Sequence, residues 1–147
     1  MRPVVSGARA TVDGMTQIER IRPPGLISSP AFSHVAVVPP GATTIYVGGQ
    51  NAVDAEGSLV GEGDIGAQSA RALANVVTAL GAAGATLADV VHWTVLLVEG
   101  VSLDEAFGAI AADLAVEEPA LVTAAFVSAL GVPGALVEIS AVAAAVR

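Results

Sequence analysis

Two apolar runs near the C-terminus decide how this chain is read: Glu117-Glu118-Pro119-Ala120-Leu121-Val122-Thr123-Ala124-Ala125-Phe126-Val127 and Ala135-Leu136-Val137-Glu138-Ile139-Ser140-Ala141-Val142-Ala143. Between them, Val132-Pro133-Gly134-Ala135 suits a type II turn, with proline fixing φ at the second position and glycine accepting a positive φ at the third. The pair therefore predicts a β-hairpin. In the second run Ala135, Val137, Ile139, Ala141 and Ala143 share one face, and Leu136, Glu138, Ser140 and Val142 share the other. A single carboxylate is thus aimed away from a wholly apolar side.

Upstream of the hairpin, residues 1–14 are polar and without periodicity and read as a flexible leader, with Met15 a possible true start; residues 15–147 read as one domain. Ile18 to Arg22 predicts a short edge strand, stopped by Pro23-Pro24-Gly25. Val35 to Val38 and Thr43 to Val47 are β-branched runs that flank Pro39-Pro40-Gly41 and predict a second hairpin. Gly48-Gly49-Gln50 follows at once, where two glycines mark a bulge or a close approach to the backbone.

Asp64 can cap a helix running to about Ala83, with Ile65, Ala72, Leu73, Val76, Val77 and Leu80 on its apolar face and Gln68, Arg71 and Asn75 partly off it. Val90 to Val98 predicts a strand with Val91, Trp93, Val95 and Leu97 on one face and His92, Thr94 and Leu96 on the other. His92 reads as a hydrogen-bonded packing residue. Ser102-Leu103-Asp104-Glu105 is a capping box opening a helix to about Ala115, with Leu103, Phe107, Ile110 and Leu114 inward. The order is that of an α+β domain, with two helices covering one face of a single sheet.

Composition narrows the function. Hydrophobic residues make up 54% of the chain but aromatic ones only 3%, so the core must be built from small aliphatic side chains, and another subunit is the economical cover for the second sheet face. Fourteen acidic residues stand against six basic ones, all arginine, for a net charge of −8. That field opposes phosphate backbones, and nucleic acid is excluded as an expected partner. The absence of lysine removes Schiff-base chemistry, and the absence of cysteine removes thiol nucleophiles and thiolate metal sites. With two histidines, His34 and His92, no multi-histidine metal site is expected. No membrane span is predicted, because Gly131, Pro133 and Gly134 interrupt the longest uncharged run, and with no signal peptide visible a cytoplasmic location is expected.

Taken in order, Gly48-Gly49-Gln50, the Asp54 to Gly57 turn, Gln68 and Asn75 on the long helix, Ala83-Gly84-Ala85, Asp89-Val90-Val91, Pro119-Ala120 and Val137-Glu138-Ile139 resemble the Rid family, the reactive intermediate deaminases or YjgF-like proteins. The resemblance extends from about Ile18 to the C-terminus. It implies a chorismate-mutase-like α+β fold, a homotrimer whose sheets form a central barrel, and clefts between adjacent subunits. Active members hydrolyse enamine or imine intermediates such as 2-aminoacrylate to a keto acid and ammonia, with no metal or organic cofactor.

The same resemblance identifies the departures. The family's catalytic arginine follows the Pro-Ala pair and holds the substrate carboxylate in a two-pronged ion pair; this chain has Leu121 there. Thr123 stands two residues on, where cysteine is frequent, and Gly48 takes a position where serine is frequent. Glu138 matches the family's water-handling carboxylate. His34 falls where active members place a loop tyrosine, and could donate a proton. The resemblance thus implies a site of Glu138 and His34 for chemistry, with Gly48, Gly49, Gln50, Leu121 and Thr123 binding a small imine or enamine. The alternative is a non-catalytic ligand-binding or interaction trimer on the same scaffold. Arg20 and Arg22 of an adjacent subunit are the candidates to replace the missing charge, and no such replacement is expected.

Overall fold

The computed structural model describes residues 14–147; the expected leader therefore lies, but for Gly14, outside the described residues. Six strands and three short or medium helices follow in the order β1 (Glu19–Ile21), β2 (Val35–Val37), β3 (Thr43–Gln50), α1 (Ile65–Ala82), β4 (Val90–Val98), α2 (Leu103–Gly108), α3 (Ala111–Leu114), β5 (Leu121–Val127) and β6 (Val137–Ala145). A four-stranded mixed sheet has the order β3-β6-β4-β5, and β1 pairs with β2 in a separate antiparallel ribbon. The domain is thus α+β with one principal mixed sheet, as expected.

Neither predicted hairpin forms. The type II turn is present, with Gly134 at φ 79° and Ala135 N donating to Val132 O at 3.0 Å. Yet β4 inserts between the two strands it was expected to join. β6 runs antiparallel to β4, and β5 runs parallel to it. Parallel neighbours need a long crossover, and residues 99–120, with α2 and α3, supply one. β6 is central because its inward side chains, Val137, Ile139, Ala141 and Ala143, are all buried, and a strand that apolar is best paired on both edges. The second expected hairpin fails for a related reason. β3, beyond the Pro39-Pro40-Gly41 bend, takes β6 as its partner, and β2 pairs with β1.

Helix α1 begins as predicted, with Asp64 Oδ1 accepting from Ala67 N at 3.0 Å, and it packs on β6 and β3. Its buried stripe includes Ile65, Ala72, Leu73, Val76 and Leu80, but Val77, expected inward, is exposed. Gln68, expected off the stripe, is fully buried. Its Nε2 donates to Gly61 O and Gly134 O, and its Oε1 accepts from Leu136 N at 2.8 Å. One amide thereby joins helix, loop and the entry to β6.

The second expected helix is two pieces, α2 and α3, with a break at Ala109 and Ile110. Ser102 Oγ accepts from Glu105 N, the N-cap half of the expected capping box. Ala106 and Ile110 are buried there, whereas Leu103 and Phe107 remain exposed because α2 packs on α1 at the margin of the sheet. The core lies between α1 and one face of the sheet, around Leu73, Val76, Leu80, Trp93, Leu97, Val137 and Ile139. Among the described residues nothing covers the other sheet face, which carries Tyr46, 79% exposed.

Candidate functional site

Strand register fixes what stands on that open face. Across β6, β4 and β5 the rows are Val142–His92–Leu121, Ser140–Thr94–Thr123 and Glu138–Leu96–Ala125. Glu138, Leu121 and Thr123 therefore share one face, opposite the buried set of Val137, Ile139 and Ala141, in agreement with the alternation read from sequence.

The glycine pair serves both of its expected uses. The β3–β6 register shifts between Val47 and Gln50, so Gly48-Gly49 is a bulge, and the Glu138 side chain lies directly over it. A Cβ built on Gly49 would fall 2.5 Å from Glu138 Cδ and 2.8 Å from Oε2, whereas one on Gly48 would meet nothing within 4 Å. Gln50 folds back so that its Nε2 donates to Gly48 O at 3.2 Å, which leaves Oε1 as its outward group. Asn75 Nδ2 donates to Asn51 O and Val53 O, and Asn51 Nδ2 donates to Val137 O, so the segment after the bulge is tied to both α1 and β6. These amides, with Gln68, hold the site in shape. The alternation of apolar residues gives no sign of them, since each reads as a polar residue on a surface; only their place in a packed neighbourhood identifies them.

The other expected residues gather elsewhere. Leu121 is directly opposite His92 in the β4–β5 ladder, and His92 Nε2 lies 2.8 Å from Thr123 Oγ1. His34 stands in the loop whose preceding residue, Ser33, donates its backbone N–H to Ala120 O. Its Nε2 is 2.7 Å from Ile27 O, and its ring meets Phe32 edge-on. Since a carbonyl only accepts, Nε2 is the protonated nitrogen, and for His34 to donate that proton to a substrate it must first release Ile27.

Within one chain the two groups do not meet. Glu138 lies level with Leu96 and Leu121 level with His92, four residues away, which is about 13 Å along the strands, with two strand spacings of about 4.8 Å across. A cavity of about 350 Å³ lies instead between Arg20, Trp93 and the 113–120 segment. Two apolar cavities of about 60 and 70 Å³ lie under α2, and none of the three is lined by Glu138, Leu121 or Thr123.

Both arginines considered as replacements are engaged locally. Arg20 Nη2 donates to Ala88 O and Val90 O, and Arg22 donates from Nη1 to Ser29 O and from Nη2 to Glu117 O. They bind the β1–β2 ribbon to the main sheet. Among the described residues, no group of three or more histidine, aspartate or glutamate side chains is arranged to hold a metal ion, and no helix is long and apolar enough to cross a membrane.

Comparison with curated proteins gives no match. A family model described as Endoribonuclease L-PSP matches residues 26–145. Among solved structures, a Rid-family protein of unknown function from Yersinia pestis is 34% identical, with 89% of this chain and 100% of that one covered and a TM-score of 0.77. A YjgF-family member from Mycobacterium tuberculosis is 33% identical over 77% of this chain and 86% of that one, with a TM-score of 0.58. RidA from an Antarctic Psychrobacter is 28% identical, covering 78% and 93% of the two chains with a TM-score of 0.61. The chain belongs to the Rid, or YjgF-like, family.

Proposed function

We propose that this protein is a homotrimer that hydrolyses a small imine or enamine lacking a carboxylate, giving the carbonyl compound and ammonia. One observation carries the reading: Glu138 is retained against the Gly48-Gly49 bulge, while Leu121 stands where the family resemblance calls for the carboxylate-binding arginine. A leucine offers neither charge nor donor, and a hydrogen bond to a charged group is worth about 1.5–3 kcal/mol, before any benefit of orienting the reacting carbon. An apolar substituent gains from contact with Leu121 instead.

The separation of the two groups supports a site completed by a neighbouring subunit, and the family resemblance makes that assembly a trimer. The open face is apolar at Tyr46, Leu96, Val142 and Leu121, and a subunit laid against it brings the Glu138 end of one chain to the Leu121 end of the next. In that cleft Glu138 takes a proton from water as the water oxygen attacks the imine carbon. His34 protonates the nitrogen to give the carbinolamine; the proton held by Glu138 then passes to the amine as the hydroxyl gives its proton back to His34, the C–N bond breaks, and ammonia leaves. Gln50 Oε1 and the bulge backbone hydrogen-bond the substrate, Thr123 shapes the pocket, and His34, once released from Ile27, supplies the proton to nitrogen. These steps call on no cofactor. A cytoplasmic location belongs to the same reading.

The family description names an endoribonuclease, but a net charge of −8 without a single lysine disfavours an RNA backbone as the ligand. The test is ammonia release from an uncharged imine generated in solution, by the native chain and by Glu138→Gln. The native chain should exceed buffer, and the variant should fall by about two orders of magnitude or more. Inertness of the native chain toward every imine, together with tight retention of a ligand, would establish the non-catalytic binding trimer in its place.

A further inference from the structure

His92 and Thr123 form a hydrogen-bonded couple, Nε2 to Oγ1 at 2.8 Å, on the open face beside Leu121. His92 is half-buried and Thr123 exposed, and the neighbours in their rows are Val142, Thr94 and Ser140. No charged side chain stands in either row. The hydrogen bond agrees with the reading of His92 as a hydrogen-bonded residue, and the imidazole stands on the face turned away from the core.

The chemistry of the couple is set by proton counting. If Nε2 carries the proton, it donates to Thr123 Oγ1, which leaves the hydroxyl proton as a free donor and Nδ1 as a free acceptor. If Nδ1 carries it, the hydroxyl donates to Nε2, which leaves Nδ1–H as the donor and Oγ1 as the acceptor. Either way the neutral couple offers one donor and one acceptor. Once a ligand in the cleft covers the couple, a carboxylate, which only accepts, leaves the acceptor half unmatched next to an apolar leucine, at a cost.

We propose that His92 and Thr123 are the specificity-determining pair of this site, and that they recognise an uncharged head group that both donates and accepts, a carboxamide or N–H imine, in the place where the family holds a carboxylate. The inference rests on the proposed cleft and deepens it, since it supplies the polar contact that Leu121 removes. It makes His92, and not only Glu138 and His34, a substrate-facing residue. Exchange between the two tautomeric arrangements lets the same couple follow a head group as it passes from imine to carbinolamine.

The test uses isobutyramide and isobutyrate, equal in shape and different in charge, titrated into the full-length protein while the methyl resonances of Leu121 and Thr123 are followed by NMR. The expected result is at least a tenfold tighter response to the amide. His92→Phe and Thr123→Val should each abolish that preference, and His92→Gln, which restores a donor and an acceptor, should recover it. Circular dichroism of each variant separates loss of preference from loss of fold, and His92→Gln carries the question if His92→Phe does not fold. Equal or tighter binding of isobutyrate, or an amide preference that survives in His92→Phe, would overturn the proposal. Binding is read without turnover, so a protein that prefers the amide yet releases no ammonia keeps this inference and loses the hydrolase reading. One that hydrolyses imines without an amide preference does the reverse.

Discussion

Gly49 and Glu138 are in such close contact that a methyl group on Gly49 would stand 2.5 Å from the Glu138 Cδ. The contact ties a bulge in β3 to the carboxylate of β6. Only a residue without a side chain permits the carboxylate to lie flat across the strand.

Gly49→Ala should therefore displace the carboxylate without unfolding the domain, because the atoms it strikes are the end of a flexible side chain. Gly48→Ala meets nothing within 4 Å and should change stability by less than about 0.5 kcal/mol. Thermal melts of both variants, with ammonia release for Gly49→Ala, check this. Native-rate hydrolysis by Gly49→Ala would mean that the observed carboxylate position is not the one the chemistry uses.

Gln68→Leu should be among the most damaging single changes away from the site. It leaves Gly61 O, Gly134 O and Leu136 N without their partner, and each unpaired buried polar group costs about 1–3 kcal/mol. A loss of about 3 kcal/mol or more should appear as a lower denaturation midpoint at an unchanged m-value. A loss below about 1 kcal/mol would show that water replaces the amide.

Tyr46 stands 79% exposed on the face assigned to subunit contact. Sedimentation should give a trimer for the native chain and a smaller species for Tyr46→Glu, since a carboxylate placed in an apolar interface is strongly penalised. A native monomer would leave Glu138 and Leu121 too far apart to share a substrate.

These expectations differ in how far they could be read from the sequence. Local signals were legible: the Asp64 cap, the Ser102 cap, the Val132-Pro133-Gly134-Ala135 turn and the facing of Glu138 are all present. Strand pairing was not, because a turn between two runs says that the chain reverses there and not that its two arms pair; β4 comes between them. Gln68, Asn51 and Asn75 were missed or undervalued because their partners are backbone groups far along the chain. Strand alternation assigns His92 to a face without saying which face meets the helices, and the register supplies that. That Glu138 and Leu121 share one face, and how far apart they stand on it, comes only from the register.

Leu121 is where the account is most exposed. The decisive measurement is ammonia release from 2-aminoacrylate and from an uncharged imine, by the native chain and by Leu121→Arg. The native chain should favour the uncharged imine, and the variant should gain about tenfold or more on 2-aminoacrylate, as expected for a charge-assisted contact of about 1.5–3 kcal/mol. Native activity on 2-aminoacrylate equal to that of Leu121→Arg would contradict the claim that Leu121 removes the carboxylate clamp.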